Sequence, residues 1–127
     1  MHTADNGWNE RAETARRFID ELVDTLPEDV RHHAEDLALE LEDTPAPALH
    51  QKGFPAVLLG LFSGRPLRAP MGNSLHEPTV TLYLDNLWRI SGHDWDRFEE
   101  EVRKTYLHEL GHFLGLNEAD LAARKLS

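Results

Sequence analysis

Cysteine is absent from this chain, which excludes disulfide frameworks, iron-sulfur clusters and thiolate metal sites at once. Any transition metal must then be held by imidazole and carboxylate, and eight histidines with 23 acidic residues supply both. Basic residues are scarce: 13 Lys and Arg leave a formal net charge of −10, with no basic block anywhere. Such a chain repels a phosphate backbone, so no nucleic-acid partner is expected, while cations are favoured. Long apolar runs are also missing. No segment approaches the roughly 18 uncharged apolar residues needed to cross a bilayer, and the first nine residues contain no apolar signal region. The expectation is a cytoplasmic protein with no membrane partner.

What remains is ordinary globular composition, 127 residues of which 40% are hydrophobic and 28% charged. That is enough for one core and too little for two, and neither an internal repeat nor a linker interrupts it, so residues 1–127 are expected to form a single domain. Apolar residues recur every three or four positions over residues 8–26, which predicts an amphipathic helix. Pro27 suits the first position of a second, short helix ending near Ala34, with Glu28 and Asp29 complementing its dipole. Leu37, Leu39 and Leu41 alternate with polar or small neighbours and predict a half-buried strand, although their composition also suits a helix, followed by a proline-containing loop over 43–47.

The run 56–62 is apolar on both faces and ends at Ser63-Gly64, which predicts a buried central strand. A long loop is expected over 65–78, where three prolines fall. Val80, Leu82 and Leu84 then alternate with Thr79, Thr81 and Tyr83, and the more polar second face predicts an edge strand or cleft wall. After a short helix near 87–90 and a turn at Gly92, a last long helix is expected to begin near Asp94 or Asp96. Asp96 with Glu99 resembles a capping box, and Gly115 is the natural stop after Leu114.

That last helix carries the chemistry. From His108 the sequence reads HExxHxxGxxE, ending at Glu118. On a helix, positions 108 and 112 lie about 40° apart and one turn from each other, so two imidazoles can converge on one ion. Glu109 falls inside the apolar arc of Phe98, Val102, Tyr106, Leu110, Phe113 and Leu114, where a carboxylate needs a partner. Water acidified by a zinc ion would be one, with Glu109 as the general base that takes its proton. A catalytic zinc calls for a third protein ligand. A left-handed turn at Gly115 would bring the following residues back toward the ion, making Glu118 the first candidate and Asp120 the fallback.

The other six histidines, at 2, 32, 33, 50, 76 and 93, read as solvated, and the acidic run 99–101 as a solvated helix start. Trp8, Trp88 and Trp95 read as core or staple residues. Gly111 costs a helix about 1 kcal/mol against alanine, which points to close approach by another segment.

With these motifs in place, the chain resembles the small bacterial zincin-like metallopeptidases, often called minimal metalloproteases. The resemblance covers Phe18-Ile19-Asp20-Glu21-Leu22-Val23, Leu59-Gly60-Leu61-Phe62-Ser63-Gly64-Arg65-Pro66-Leu67, Val80-Thr81-Leu82-Tyr83 and the approach to His108. The motif is also similar to the HExGHxLGL string of matrix metalloproteinases. The resemblance implies an α+β fold, a three- or four-stranded mixed sheet packed against helices, with the active-site helix near the C-terminus. It implies one zinc ion, His108 and His112 as ligands and Glu109 as base. The family usually has aspartate where Glu118 stands, the matrix enzymes have histidine there, and no methionine follows the motif.

Two functions fit these residues. One is zinc-dependent hydrolysis of a peptide or protein substrate, with the strand from Thr79 as the edge along which the substrate pairs and Thr81 or Tyr83 near the scissile bond. The other is a non-catalytic zincin-fold binding or regulatory module with a metal-stabilised or empty site. Its motivation is the short stretch after the motif, which leaves little chain for a second cleft wall.

Overall fold

The amphipathic stripe near the N-terminus folds as predicted, as helix α1 (Trp8–Thr25), with Ala15 and Ile19 buried. The structure, a computed structural model, describes residues 7–69 and 76–126. Part of the predicted 65–78 loop, and His2, lie outside those residues. Helix α2 (Glu28–Ala34) follows with Pro27 as its N-cap residue, one position earlier than predicted. The predicted Leu37–Leu41 alternation becomes β1 (Ala38–Glu42), with Leu41 inward and Glu40 and Glu42 exposed. A short helix α3 (Pro47–Gln51) occupies ground read as loop, with proline in its first turn, where a missing N–H costs nothing.

Two strands exchange the roles the sequence predicts for them. The apolar run from Ala56 yields only β2 (Gly60–Ser63), and the alternating segment yields β3 (Thr79–Tyr83). The sheet order is β1-β3-β2. β3 pairs parallel with β1, Leu82 opposite Leu41, and antiparallel with β2, Val80 opposite Phe62. The predicted edge strand is therefore the centre, and the predicted centre is an edge. Polarity misled because Thr79 and Tyr83 are buried despite their hydroxyls, whereas Ala56 and Val57 are exposed despite being apolar.

Helix α4 (Leu84–Ile90) starts directly from β3, so Leu84 belongs to the helix and not the strand. The long helix α5 (Trp95–Leu114) packs against α1, β2 and β3. Its cap is Asp94, whose carboxylate accepts from the Arg97 N–H at 3.0 Å, so the Asp96–Glu99 box is not the one used. Gly115 ends α5 with φ of +76°, a left-handed conformation that glycine adopts without steric cost. A short helix α6 (Glu118–Ala123) follows, begun by a reciprocal capping box between Asn117 and Asp120.

The core joins these layers. Phe98, Val102, Tyr106 and Leu110 of α5 meet Val80 and Leu82 of β3 and Ala15 and Ile19 of α1 in one buried cluster. Trp88, Trp95 and Phe98 form an aromatic staple, Phe98 edge-to-face with both indoles and the Trp88 and Trp95 rings tilted with centroids 4.6 Å apart. The result is α+β, a small three-stranded mixed sheet packed against helices. Among the described residues, no helix is long and apolar enough to cross a membrane.

Candidate metal centre

Helix α5 places His108 and His112 one turn apart on its exposed flank, with ring centroids 4.5 Å apart. Glu109 turns inward from the same turn and is only 7% exposed. A ligand atom from each of His108, Glu109 and His112 lies within 4.8 Å of the other two. This is the only such three-residue group of potential metal ligands among the described residues. Two imidazoles one turn apart are donors that suit zinc, and a buried carboxylate beside them suits a base next to the ion, so these residues fit the ion that the sequence implies.

The Glu109 carboxylate is held from two sides. Its Oε1 accepts the backbone N–H of Phe62 at 2.9 Å and lies 3.1 Å from His112 Nδ1. The Phe62 bond crosses from the edge strand to the helix, and it follows from register. In the β2–β3 ladder, residues 59, 61 and 63 turn their backbone groups toward β3, as the Tyr83 N–H to Leu59 carbonyl bond of 2.9 Å shows. Alternation then points the groups of Gly60 and Phe62 outward. The Phe62 ring packs on Phe113 of α5, centroids 5.7 Å apart, and draws the strand onto the helix.

Glu118, at the start of α6, sets its carboxylate against His108 Nδ1. The chain beyond Gly115 thus turns back toward the histidines, as its sequence predicts. The mutual group within 4.8 Å contains Glu109, however, and not Glu118, whose carboxylate is set against His108. Asp120 is engaged elsewhere, its carboxylate accepting the Asn117 N–H at 3.0 Å within the capping box. Gly111 explains how α6 comes so near. A Cβ there would lie 2.9 Å from Leu121 Cδ1 and 3.3 Å from the Leu116 carbonyl. The close approach inferred from a glycine inside the helix is made by α6.

Two hollows meet at His108. One, of about 440 Å³, runs between His108, His112, Asn117, Glu118 and Leu121. The other, of about 390 Å³, is walled by Leu58, Leu59 and Gly60 on one side and by Thr105, His108 and Glu109 on the other. A larger hollow of about 640 Å³ lies along α2, lined by Glu28, His32 and their neighbours and by none of His108, Glu109, His112 and Glu118. No three potential ligands converge there.

Thr81 and Tyr83 are not part of the site. Both stand on the central strand, whose two edges are already paired by β1 and β2, so no substrate can add to it. By alternation they also lie on the sheet face opposite Val80, which shares its face with Phe62. Burial pushes the Tyr83 phenol pKa up, and the charges of Glu42 and Glu40 add to the effect. Sequence reading missed the Phe62 N–H because side-chain patterns carry no trace of a backbone donor. It missed the Leu58–Leu59 wall because an apolar run reads as core. His32, His50, His76 and His93 are exposed, and His33 is half-buried.

A small mixed sheet laid over a long helix, with paired histidines and a buried glutamate between them, defines a zincin-type site. The family model described as zincin-like metallopeptidase matches residues 34–126, and the chain belongs to that family. Comparison with curated proteins finds no match.

Proposed function

We propose that this protein is a zinc-dependent metallopeptidase in which His108, His112 and Glu118 are the metal ligands and Glu109 is the general base. The observation that carries this reading is the Glu109 carboxylate. It is buried on an apolar helix face and meets only a histidine and a backbone amide among the described residues. A carboxylate so placed costs stability, and proton transfer at a metal site is a function that compensates for the cost.

A zinc ion held by these side chains supplies Lewis acidity toward water and toward a scissile carbonyl. Glu109 takes the proton from the attacking water and carries it to the leaving amine nitrogen, oriented throughout by the Phe62 N–H. Glu118 enters from the first turn of α6, and the reciprocal Asn117–Asp120 cap holds that turn in place. The outward backbone groups of Gly60 and the outward carbonyl of Phe62, whose N–H is taken by Glu109, offer an extended peptide main-chain partners, so the substrate strand lies along β2 and not β3.

Glu109→Gln tests the role of the base. The amide keeps shape and an acceptor for Phe62 but cannot shuttle a proton. Zinc content is expected to stay at the wild-type level while peptide hydrolysis falls by about 10²- to 10⁴-fold. Unchanged turnover in a zinc-loaded Glu109→Gln protein would overturn the assignment.

A further inference from the structure

Between α3 and β2 the chain runs through residues 52–59 without helix or strand, and its last six residues, Phe54-Pro55-Ala56-Val57-Leu58-Leu59, are almost wholly apolar. A segment of this composition ordinarily belongs in a core. Here Val57 is 61% exposed, Ala56 is exposed, and Leu58 and Leu59 are half-buried.

The segment is tied to β3 by the Tyr83 N–H to Leu59 carbonyl bond at 2.9 Å, and the residues before Leu59 are held by one side chain. Asn86 of α4, 1% exposed, donates its amide to the Ala56 carbonyl and to the Leu58 carbonyl, both at 2.9 Å. Its Oδ1 accepts from Arg89 Nη2 at 3.0 Å. Both N–H donors and the carbonyl of the amide are thus engaged, and a fully satisfied buried amide fixes geometry where regular structure does not.

The clamped segment forms the upper wall of the groove beside the metal centre, opposite Thr105, His108 and Glu109. Gly60 sets how closely that wall approaches α5, since a Cβ there would stand 2.6 Å from Thr105 Cγ2. The Glu101–Lys104 ion pair, at 3.1 Å, closes the rim. Apolar surface held open to water in a preformed groove gains free energy when an apolar group covers it. The groove shares His108 and Glu109 with the proposed catalytic site, so its occupant is part of whatever lies in that site.

We infer that Asn86 is a positioning residue that presents Leu58 and Leu59 as a preformed apolar wall. The groove they form seats a bulky aliphatic or aromatic side chain of an extended peptide, beside the bond on which Glu109 acts. The inference rests on the hydrolase reading for the placement of that peptide.

Binding to zinc-loaded Glu109→Gln protein tests it without turnover. The probes are capped hexapeptides identical except for Leu, Phe, Asp or Lys at one central position, with methyl chemical shifts as the readout. The Leu and Phe peptides are expected to bind about tenfold more tightly than the Asp and Lys peptides and to shift the Leu58 and Leu59 methyl signals. Adding Leu58→Asp should abolish that ratio.

Asn86→Ala, or Arg89→Ala on an exposed position if the first does not fold, should lower the ratio while leaving Asp-peptide binding unchanged. Equal binding of all four peptides, a ratio that survives Leu58→Asp, or no binding at all overturns the groove. A ratio untouched by Asn86→Ala or Arg89→Ala overturns the positioning role. If the wild type cleaves peptides without this preference, the hydrolase reading stands and the inference fails. If the preference appears but no peptide is cleaved, the groove stands and the hydrolase reading fails.

Discussion

Glu109 keeps a carboxylate on the apolar arc of α5, where it is only 7% exposed. Its nearest donor, the Phe62 N–H, lies 47 residues away in sequence and is brought to it by the register of β2. Tyr106, three positions upstream on the same helix, gives a residue-scale expectation with a definite sign. Burial, with the charge of Asp20 adding to it, pushes its phenol pKa from the ordinary 10.0 up to about 12. The unfolded chain therefore loses this proton at lower pH than the folded one. Stability from the group is complete below about pH 10 and is lost as pH rises toward about 12. Tyr106→Phe should match the wild type within about 0.5 kcal/mol near neutral pH and lose less stability on the alkaline side. Urea titrations at about pH 9 and about pH 11.5 check this, and an equal alkaline loss in both proteins would contradict it.

The elements fall into those that a local pattern specifies and those that it cannot. Helices α1 and α5 announce themselves by period, and Gly115 by its position after the last apolar residue. Helices α3 and α6 are too short, at five and six residues, for a period to register. Segments 56–62 and 79–84 both carry strand patterns, but the sheet order β1-β3-β2 reverses the central and edge places those patterns predict. Which strand is central depends on pairing between segments far apart in sequence, which hydrophobic alternation does not encode. The junction of α5 and α6 also carries two expectations. Gly115→Ala meets no atom within 4 Å, so its cost is the left-handed backbone alone, about 1 kcal/mol by urea denaturation. Gly111→Ala instead drives a methyl toward Leu121 Cδ1 and should displace α6 with its Glu118. Zinc affinity is expected to fall about tenfold and to recover in part when Leu121→Ala makes room. Failure of the double variant to recover would place the effect elsewhere.

At the scale of the whole molecule, an acidic chain of 127 residues with no cysteine has few ways to hold a transition metal, and the fold brings together residues that suit one of them. The histidine pair, the glutamate between them and the α+β class were legible in the sequence because they share one helix and its immediate sequel. The groove that adjoins them was not, because its wall comes from a loop clamped by Asn86 on another element. The proposed function requires His108, His112 and Glu118 to hold a single zinc ion together. Calorimetric titration of zinc into the metal-free wild type and into His108→Ala tests it most directly. One equivalent of zinc bound by the wild type, with that binding lost in His108→Ala, is the expected result. Wild-type protein that takes up no zinc, or a His108→Ala variant that binds it as tightly as the wild type, would contradict the account.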